Sequence, residues 1–345
     1  MNIKTSRRKF IGITSTLLTG SLLGAHSAVG LPSIIGERGL SKSIIKGVRI
    51  GVITYSFRDL PDQSAEATLD YILKSGVSAT ELMGGPAESF AGAPKNPVDF
   101  RTVFPLWKKR YEKQELTEEE KKVLADADEK TKAYRGEMAL WRQKVSMEKF
   151  EELRKIYTKA GIEIYAFKPD ALGMQYSDAE IDYAMRAARS LGASHVTVEY
   201  PGNEAHSLKL GKAAEKNGVR VGYHGHEQQT PTLWDAALAQ SPANAMNLDL
   251  GHYVAAGNAN PLDIIRVKHD RIVSMHIKDR KSKANGGDNL PWGEGNTPIA
   301  DALRLMRDSK YNFPATIEME YKVPEGSGPV EEVKKCLAYC VQALS

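Results

Sequence analysis

The chain has 345 residues, with 47 Lys and Arg against 43 Asp and Glu and a net charge of +4. Its apolar fraction of 41% and charged fraction of 26% are ordinary for a globular protein long enough to bury a large core, and the absence of a basic stripe argues against nucleic acid as a partner. The two cysteines, Cys336 and Cys340, lie four apart in a helical pattern and read as small buried thiols; they make neither a disulfide framework nor a zinc site.

Read in chain order, the N-terminus comes first. Arg7 and Arg8 precede Phe10, an apolar stretch from Ile11 to Leu23 and small residues from Gly24 to Gly30. This order of charged region, apolar core and cleavage zone predicts a signal peptide over 1–30, and the paired arginines point to twin-arginine export to the periplasm. The apolar stretch is too short and too rich in Gly and Thr for a stable membrane span. A linker follows over 31–46.

From residue 47 onward, strand-like and helix-like segments alternate. The apolar runs at Val48 to Ser56, Ala79 to Met83, Ile162 to Phe167, Ser194 to Glu199, Val219 to Tyr223, Ala245 to Asp249, Ile272 to His276 and Ala315 to Glu318 read as eight buried parallel strands. Ser64 can cap the helix after the first strand, and Ser177 with Glu180 forms a capping box that opens a helix through Leu191. Gly76, Gly161 and Gly218 each end a helix just before a strand. Eight such units predict a single (β/α)8 TIM barrel over 47–345. One unit breaks the rhythm: residues 88–145, after the second strand, form a charged helical insertion with a capping box at Thr117 and Glu120. Trp107, Tyr111, Tyr134 and Trp141 would supply its apolar face. It reads as a solvated helical decoration or, from its place at the barrel mouth, as a lid or an oligomer contact.

Chemistry-bearing residues recur at the strand ends. Glu199, Asp249, His276 and Glu318 each end, or nearly end, an apolar run, and in a barrel such positions converge on one mouth. Three carboxylates and one imidazole suit Mn²⁺, Mg²⁺ or Co²⁺ better than a structural zinc. Glu320 shares the parity of Glu318 and is its rival. His252, three residues after Asp249, and Lys278, after His276, are candidate catalytic groups, and Asp279 a candidate contact for substrate hydroxyls. His224 and His226 end the fifth strand, and Glu81 ends the second.

The stretches VEYPG, GYHGHE, LDLGHY, HIKDR with the later WGEGNTPI, and NFPATIEME resemble the xylose isomerase-like TIM barrels. That superfamily holds sugar isomerases, epimerases and inosose dehydratases, and also endonuclease IV. The resemblance covers nearly all of the chain after the signal, apart from the insertion. It implies one divalent cation held by Glu199, Asp249, His276 and Glu318. Phe313 stands where the family carries Gly before the last ligand, so Glu320 stays open there. The histidines with which endonuclease IV holds extra zinc have no counterpart: Glu81 ends the second strand, and Asn289 to Trp292 precede the Gly293-Glu294-Gly295 turn.

The resemblance further implies proton transfer beside a carbonyl. Glu199 and Glu318 would act as base and acid, His252 and Lys278 would assist, and His224, His226, Glu81 and Trp292 would line the substrate. Export, and the lack of a glycine-rich phosphate cradle, point to an unphosphorylated keto-sugar. Exported relatives of this type suggest a hydratase that turns 2-hydroxy-3-keto-glucal into 3-keto-glucose. A keto-sugar epimerase or isomerase is the near alternative, and a non-catalytic periplasmic sugar-binding protein is the alternative of another class.

Overall fold

The computed structural model describes residues 43–345; the expected signal peptide and most of the linker lie outside the described residues. The barrel strands are β1 (Val48–Ile53), β2 (Ala79–Met83), β3 (Glu163–Lys168), β4 (His195–Glu199), β5 (Arg220–His224), β6 (Asn244–Asp249), β7 (Ile272–Ile277) and β8 (Ala315–Ile317). Each pairs in parallel with its neighbour, and β8 pairs with β1 through Ile317 and Val52, so the sheet closes into an eight-stranded barrel. Closure leaves no barrel edge for another chain to pair with.

Local sequence chemistry sets the crossovers. Helix α1 (Ala65–Ser75) begins where Ser64 Oγ accepts the Ala67 N–H and ends at Gly76, whose φ of 79° suits glycine. The first strand stops three residues earlier than the apolar run, because Thr54–Phe57 turns into a 3₁₀ helix. There Ser56 Oγ accepts the Met319 N–H at 3.0 Å and ties the end of β1 to the end of β8.

After β2 the chain forms α2 (Gly84–Phe90), α3 (Phe100–Tyr111), α4 (Glu118–Lys144) and α5 (Glu148–Lys159). The α4 start is the Thr117–Glu120 capping box, worth about 1 kcal/mol. Val103, Leu124 and Ala127 pack α3 on α4, with Trp107 partly buried against them. Trp141 meets Tyr183 edge-on at 5.7 Å between ring centroids. Tyr111, read as part of this apolar face, is instead 88% exposed. The C-terminal end of α4 is fixed by buried Arg142, which bonds Glu180 at 3.1 Å and Glu88 at 3.4 Å. Glu180 belongs to α6 (Asp178–Leu191), where with Ser177 it also makes the capping box read from the sequence.

The remaining helices are α7 (Glu204–Asn217), α8 (Asp235–Gln240), α9 (Leu250–Ala255), α10 (Pro261–Lys268), α11 (Ile299–Ser309) and α12 (Pro329–Leu344). Cys336 and Cys340 are free and buried on α12, as their spacing predicts. Among the described residues no helix is long and apolar enough to cross a membrane.

The barrel interior is unusually polar. Tyr165 crosses it, so close to Gly51 that a Cβ there would meet the ring at 2.5 Å, and its hydroxyl pairs with Thr316 Oγ1 at 2.8 Å. His195, Asn247 and Ser274 are also fully buried in this layer. Because side chains alternate along a strand, the residues two positions on lie one layer nearer the C-terminal mouth: Ser274 leads to His276 and Lys278, Thr316 to Glu318 and Glu320, Asn247 to Asp249 and Gly222 to His224.

Candidate active site

His276 is the centre of the buried layer. Its Nε2 pairs with Glu81 Oε2 at 2.7 Å and its Nδ1 with Glu318 Oε2 at 2.8 Å. Burial opposes a charge on this imidazole, but the two carboxylates outweigh it and push the His276 pKa up to about 10. Burial likewise opposes ionisation of Glu318, and Lys278 with His276 more than reverses that, holding the carboxyl well below its usual range.

Lys278 gathers the other acids. Its ammonium lies 3.0 Å from Asp249 Oδ2, 2.8 Å from Glu318 Oε2 and 2.5 Å from Glu320 Oε2, and it donates to His252 Nε2 at 3.2 Å. Burial works against its charge and the three carboxylates overcome it, so its pKa is raised. Asp249 is fully buried; its Oδ1 accepts the His252 N–H at 2.7 Å and starts α9. Its Oδ2 accepts no hydrogen bond among the described residues, although Lys278 faces it as a charge partner.

Three of the four expected cation ligands therefore come together. The ligand atoms of Asp249, His276, Glu318 and His224 lie within 4.8 Å of one another. Glu199 is outside that group. Its side chain is 54% exposed, and its two oxygens pair with Lys168 Nζ and His226 Nε2, each at 2.8 Å. Burial would raise its pKa, but His226 and Lys168 lower it instead. Of the two rivals on the last strand, Glu318 faces His276, whereas Glu320 pairs with Lys278 nearer the surface.

The other expected site residues fall in three places. His224 is buried and its ring stands 4.9 Å from those of His276 and His226. His226 bridges toward His252, with ring centroids 4.4 Å apart, so the three histidines join Glu199 to Asp249. Glu81, expected to touch substrate, is wholly buried and spends one oxygen on His276, while its Oε1 has no partner among the described residues. Its role here is to hold the imidazole. Trp292 stands edge-on to Tyr339 of α12 at 5.8 Å rather than among the carboxylates.

Asp279 corrects a further expectation. Instead of facing substrate it accepts backbone N–H groups from Gly293, Gly295 and Thr297 at 2.8, 2.9 and 3.1 Å. That carboxylate is what shapes the WGEGNTPI loop, and a Cβ at Gly295 would stand 2.2 Å from its Oδ1. Sequence reasoning missed Lys168, Glu227 and Arg280. Lys168 carried a signal, since it ends the EIYAFK strand. Glu227 pairs with both His252 and Arg280 from a loop, and no periodicity marks it.

A divalent cation fits this chemistry. The acids at the mouth outnumber the cations, Asp249 Oδ2 and Glu81 Oε1 are buried acceptors without a hydrogen bond among the described residues, and the convergent atoms are carboxylate oxygens and imidazole nitrogens.

A closed parallel barrel with an acidic, histidine-bearing mouth at the C-terminal strand ends defines a class of barrel protein with its site on the βα-loop face. The chain belongs to the xylose isomerase-like TIM barrel family, whose model matches residues 131–340. Solved structures with the same fold include a sugar phosphate isomerase/epimerase from Parabacteroides distasonis, at 16% identity and a TM-score of 0.53 over 85% of this chain and 93% of that one. A xylose isomerase domain protein from Planctomyces limnophilus aligns at 14% identity and a TM-score of 0.54, covering 87% and 96%. A protein named as the probable 3-DHS dehydratase AsbF of Bacillus anthracis aligns at 14% identity and a TM-score of 0.55, covering 84% and 97%. At these identities the likeness establishes the fold. No curated protein matches the chain in sequence.

Proposed function

We propose that this protein is an exported, divalent-cation-dependent hydro-lyase that hydrates an unphosphorylated keto-sugar, such as 2-hydroxy-3-keto-glucal to 3-keto-glucose in glycoside breakdown. The observation that carries this reading is the buried cluster of Asp249, His276 and Glu318 closed by the Lys278 ammonium. Asp249, His276 and Glu318 would hold the cation, and their oxygen-rich set suits Mn²⁺, Mg²⁺ or Co²⁺. When bound, the cation supplies Lewis-acid polarisation of a substrate carbonyl.

The chain's own groups supply the rest. Lys278, itself buried, donates hydrogen bonds toward a substrate oxygen as negative charge grows on it. Glu199 and Glu318 are both ionised and able to accept a proton. Glu318 becomes more basic as substrate draws Lys278 away from it, because that ammonium is what lowers its pKa. The cations at the mouth argue for an unphosphorylated substrate. Among the described residues there, Lys168 is paired with Glu199, Lys278 with three acids and Arg280 with Glu227, which leaves none of these three for a phosphate.

One observation supports the epimerase or isomerase reading. Glu199 ends β4 and Glu318 follows β8, four strands apart in a ring of eight, so the two carboxylates flank a substrate from opposite walls. Two-sided proton transfer needs that arrangement, and so does delivery of a proton to one carbon and water to its neighbour. The names of the structural neighbours include both isomerase/epimerase and dehydratase.

The test is incubation of the protein with 2-hydroxy-3-keto-glucal, followed by the loss of enone absorbance and by NMR of the product. Water addition that stops with a chelator and returns with Mn²⁺ is the expected result. Inversion of a keto-sugar without net water uptake would select the epimerase instead, and binding without turnover would leave the sugar-binding protein.

A further inference from the structure

A one-way chain of hydrogen bonds runs through the barrel interior to His224. The Ser194 hydroxyl donates to the Tyr165 carbonyl at 3.1 Å, so its oxygen is left to accept from His195 Nδ1 at 2.9 Å. His195 is fully buried, and burial brings its pKa down to about 4, so the ring is neutral and carries its one proton on Nδ1. Its Nε2 therefore accepts, and the donor is Ser274 Oγ at 3.0 Å. With its proton spent there, Ser274 Oγ accepts the Asn247 Nδ2–H at 2.7 Å. That orientation turns Asn247 Oδ1 toward His224 Nδ1, which must be protonated to donate across the 2.7 Å between them.

The consequence is at the other nitrogen. His224 Nε2 holds a lone pair and faces Asp249 Oδ2 at 4.0 Å. Asp249 Oδ2 is the buried oxygen that accepts no hydrogen bond among the described residues. Two acceptors therefore meet in a buried layer with no proton between them; the Lys278 ammonium, 3.0 Å from Asp249 Oδ2, offsets the carboxylate charge, and a cation seated between the two acceptors would satisfy both. The arrangement is maintained by four polar residues, not by chance packing.

We propose that His224 binds the divalent cation through Nε2, as a second imidazole beside His276, and that Asn247, Ser274 and His195 are positioning residues that fix its tautomer. This rests on the cation-dependent reading above and extends it. Two nitrogen donors with the Asp249 and Glu318 carboxylates shift the preference away from Mg²⁺, which favours oxygen, toward transition metals such as Mn²⁺ and Co²⁺. Glu199, held by Lys168 and His226, is not required for this set.

The test uses the full chain loaded with Mn²⁺ and labelled with ¹⁵N-histidine. Pulsed EPR counts the nitrogens bound directly to the ion: two are expected in the wild type and one in His224→Gln. The wild-type count stands even if that variant fails to fold. Ser274→Ala removes a link that cannot itself reach the ion. It is expected to weaken Mn²⁺ binding roughly 10–100-fold, and Ser274→Thr, which keeps the hydroxyl, to restore most of it. A wild-type count of one nitrogen, or Mn²⁺ binding by Ser274→Ala as tight as in the wild type, would overturn the inference and leave the proposed function standing. Failure of the wild type to bind either Mn²⁺ or Co²⁺ would overturn both.

Discussion

Lys278 and Glu318 show how one side chain sets the chemistry of another. The ammonium keeps Glu318 ionised and close, so its removal both unmasks and unpairs the acid. Glu318→Gln keeps an oxygen donor and the volume but loses the basic carboxylate; turnover is expected to fall roughly 10²–10⁴-fold with the cation retained, measured by steady-state kinetics beside a metal assay. His195 gives the pH behaviour. Its folded pKa is lowered to about 4 by burial, against an ordinary value of 6.5. The fold therefore holds it neutral, while the unfolded chain takes up a proton below that ordinary value. Its stabilising contribution is complete above pH 6.5 and is lost as pH falls toward about 4, on the order of 3 kcal/mol. Thermal melts from pH 7 to pH 4 are expected to show a steep acid limb that His195→Gln flattens; an unchanged limb would contradict it. At this scale the sequence revealed those residues whose type is unusual for their place. Asp249, His276 and Glu318 are polar groups ending apolar runs. Asn247 and Ser274 are ordinary polar residues within strands, and their meaning comes only from partners 23–79 residues away on other strands. Asp279 misled because its type suits a substrate contact, while its three backbone partners lie 14–18 residues ahead.

At the scale of elements, caps and glycines fixed what could be read. Ser64, Ser177 and Thr117 start helices where their side chains predict, and Gly76 ends one with positive φ. The strand boundaries moved by a residue or more because tertiary contacts, such as Ser56 on Met319, decide where a strand becomes a turn. The attachment of the insertion was not legible, since Arg142 looks like any surface arginine on a charged helix. It is buried between Glu88 and Glu180, and burial raises the Glu88 pKa even against Arg142. Arg142→Ala leaves those acids unpaired, at a cost of roughly 3–5 kcal/mol. Hydrogen exchange is expected to rise in the C-terminal half of α4 and stay low in β4 to β7. Uniform protection would show that the pair does not hold the helix. Gly295→Ala tests the other loop: its Cβ would press on Asp279 Oδ1 at 2.2 Å and the Arg280 carbonyl at 2.8 Å. A loss of about 1–3 kcal/mol in denaturant melts is expected, with the cation affinity retained.

For the whole molecule, eight successive strand–helix repeats with strands apolar on both faces were enough to predict a closed barrel, because eight such units are the pattern of that fold. The mouth follows from that closure, since parallel strands end together. The proposal of export belongs to this scale as well. Mass spectrometry of the periplasmic protein is expected to find residues 1 to about 30 removed, and replacing Arg7 and Arg8 with Lys is expected to block export; an intact N-terminus and unchanged export would contradict it. The central claim is that a cation-loaded acidic mouth moves a proton on carbon beside a carbonyl. Its most direct measurement is deuterium incorporation into unphosphorylated 3-keto-sugars in D₂O with Mn²⁺-loaded protein, followed by NMR. One deuterium at the carbon next to the carbonyl is expected, at a rate that a chelator abolishes and Glu318→Gln lowers at least about 10²-fold. No exchange into any such sugar while Mn²⁺ is bound would contradict the claim and leave a sugar-binding barrel without catalysis.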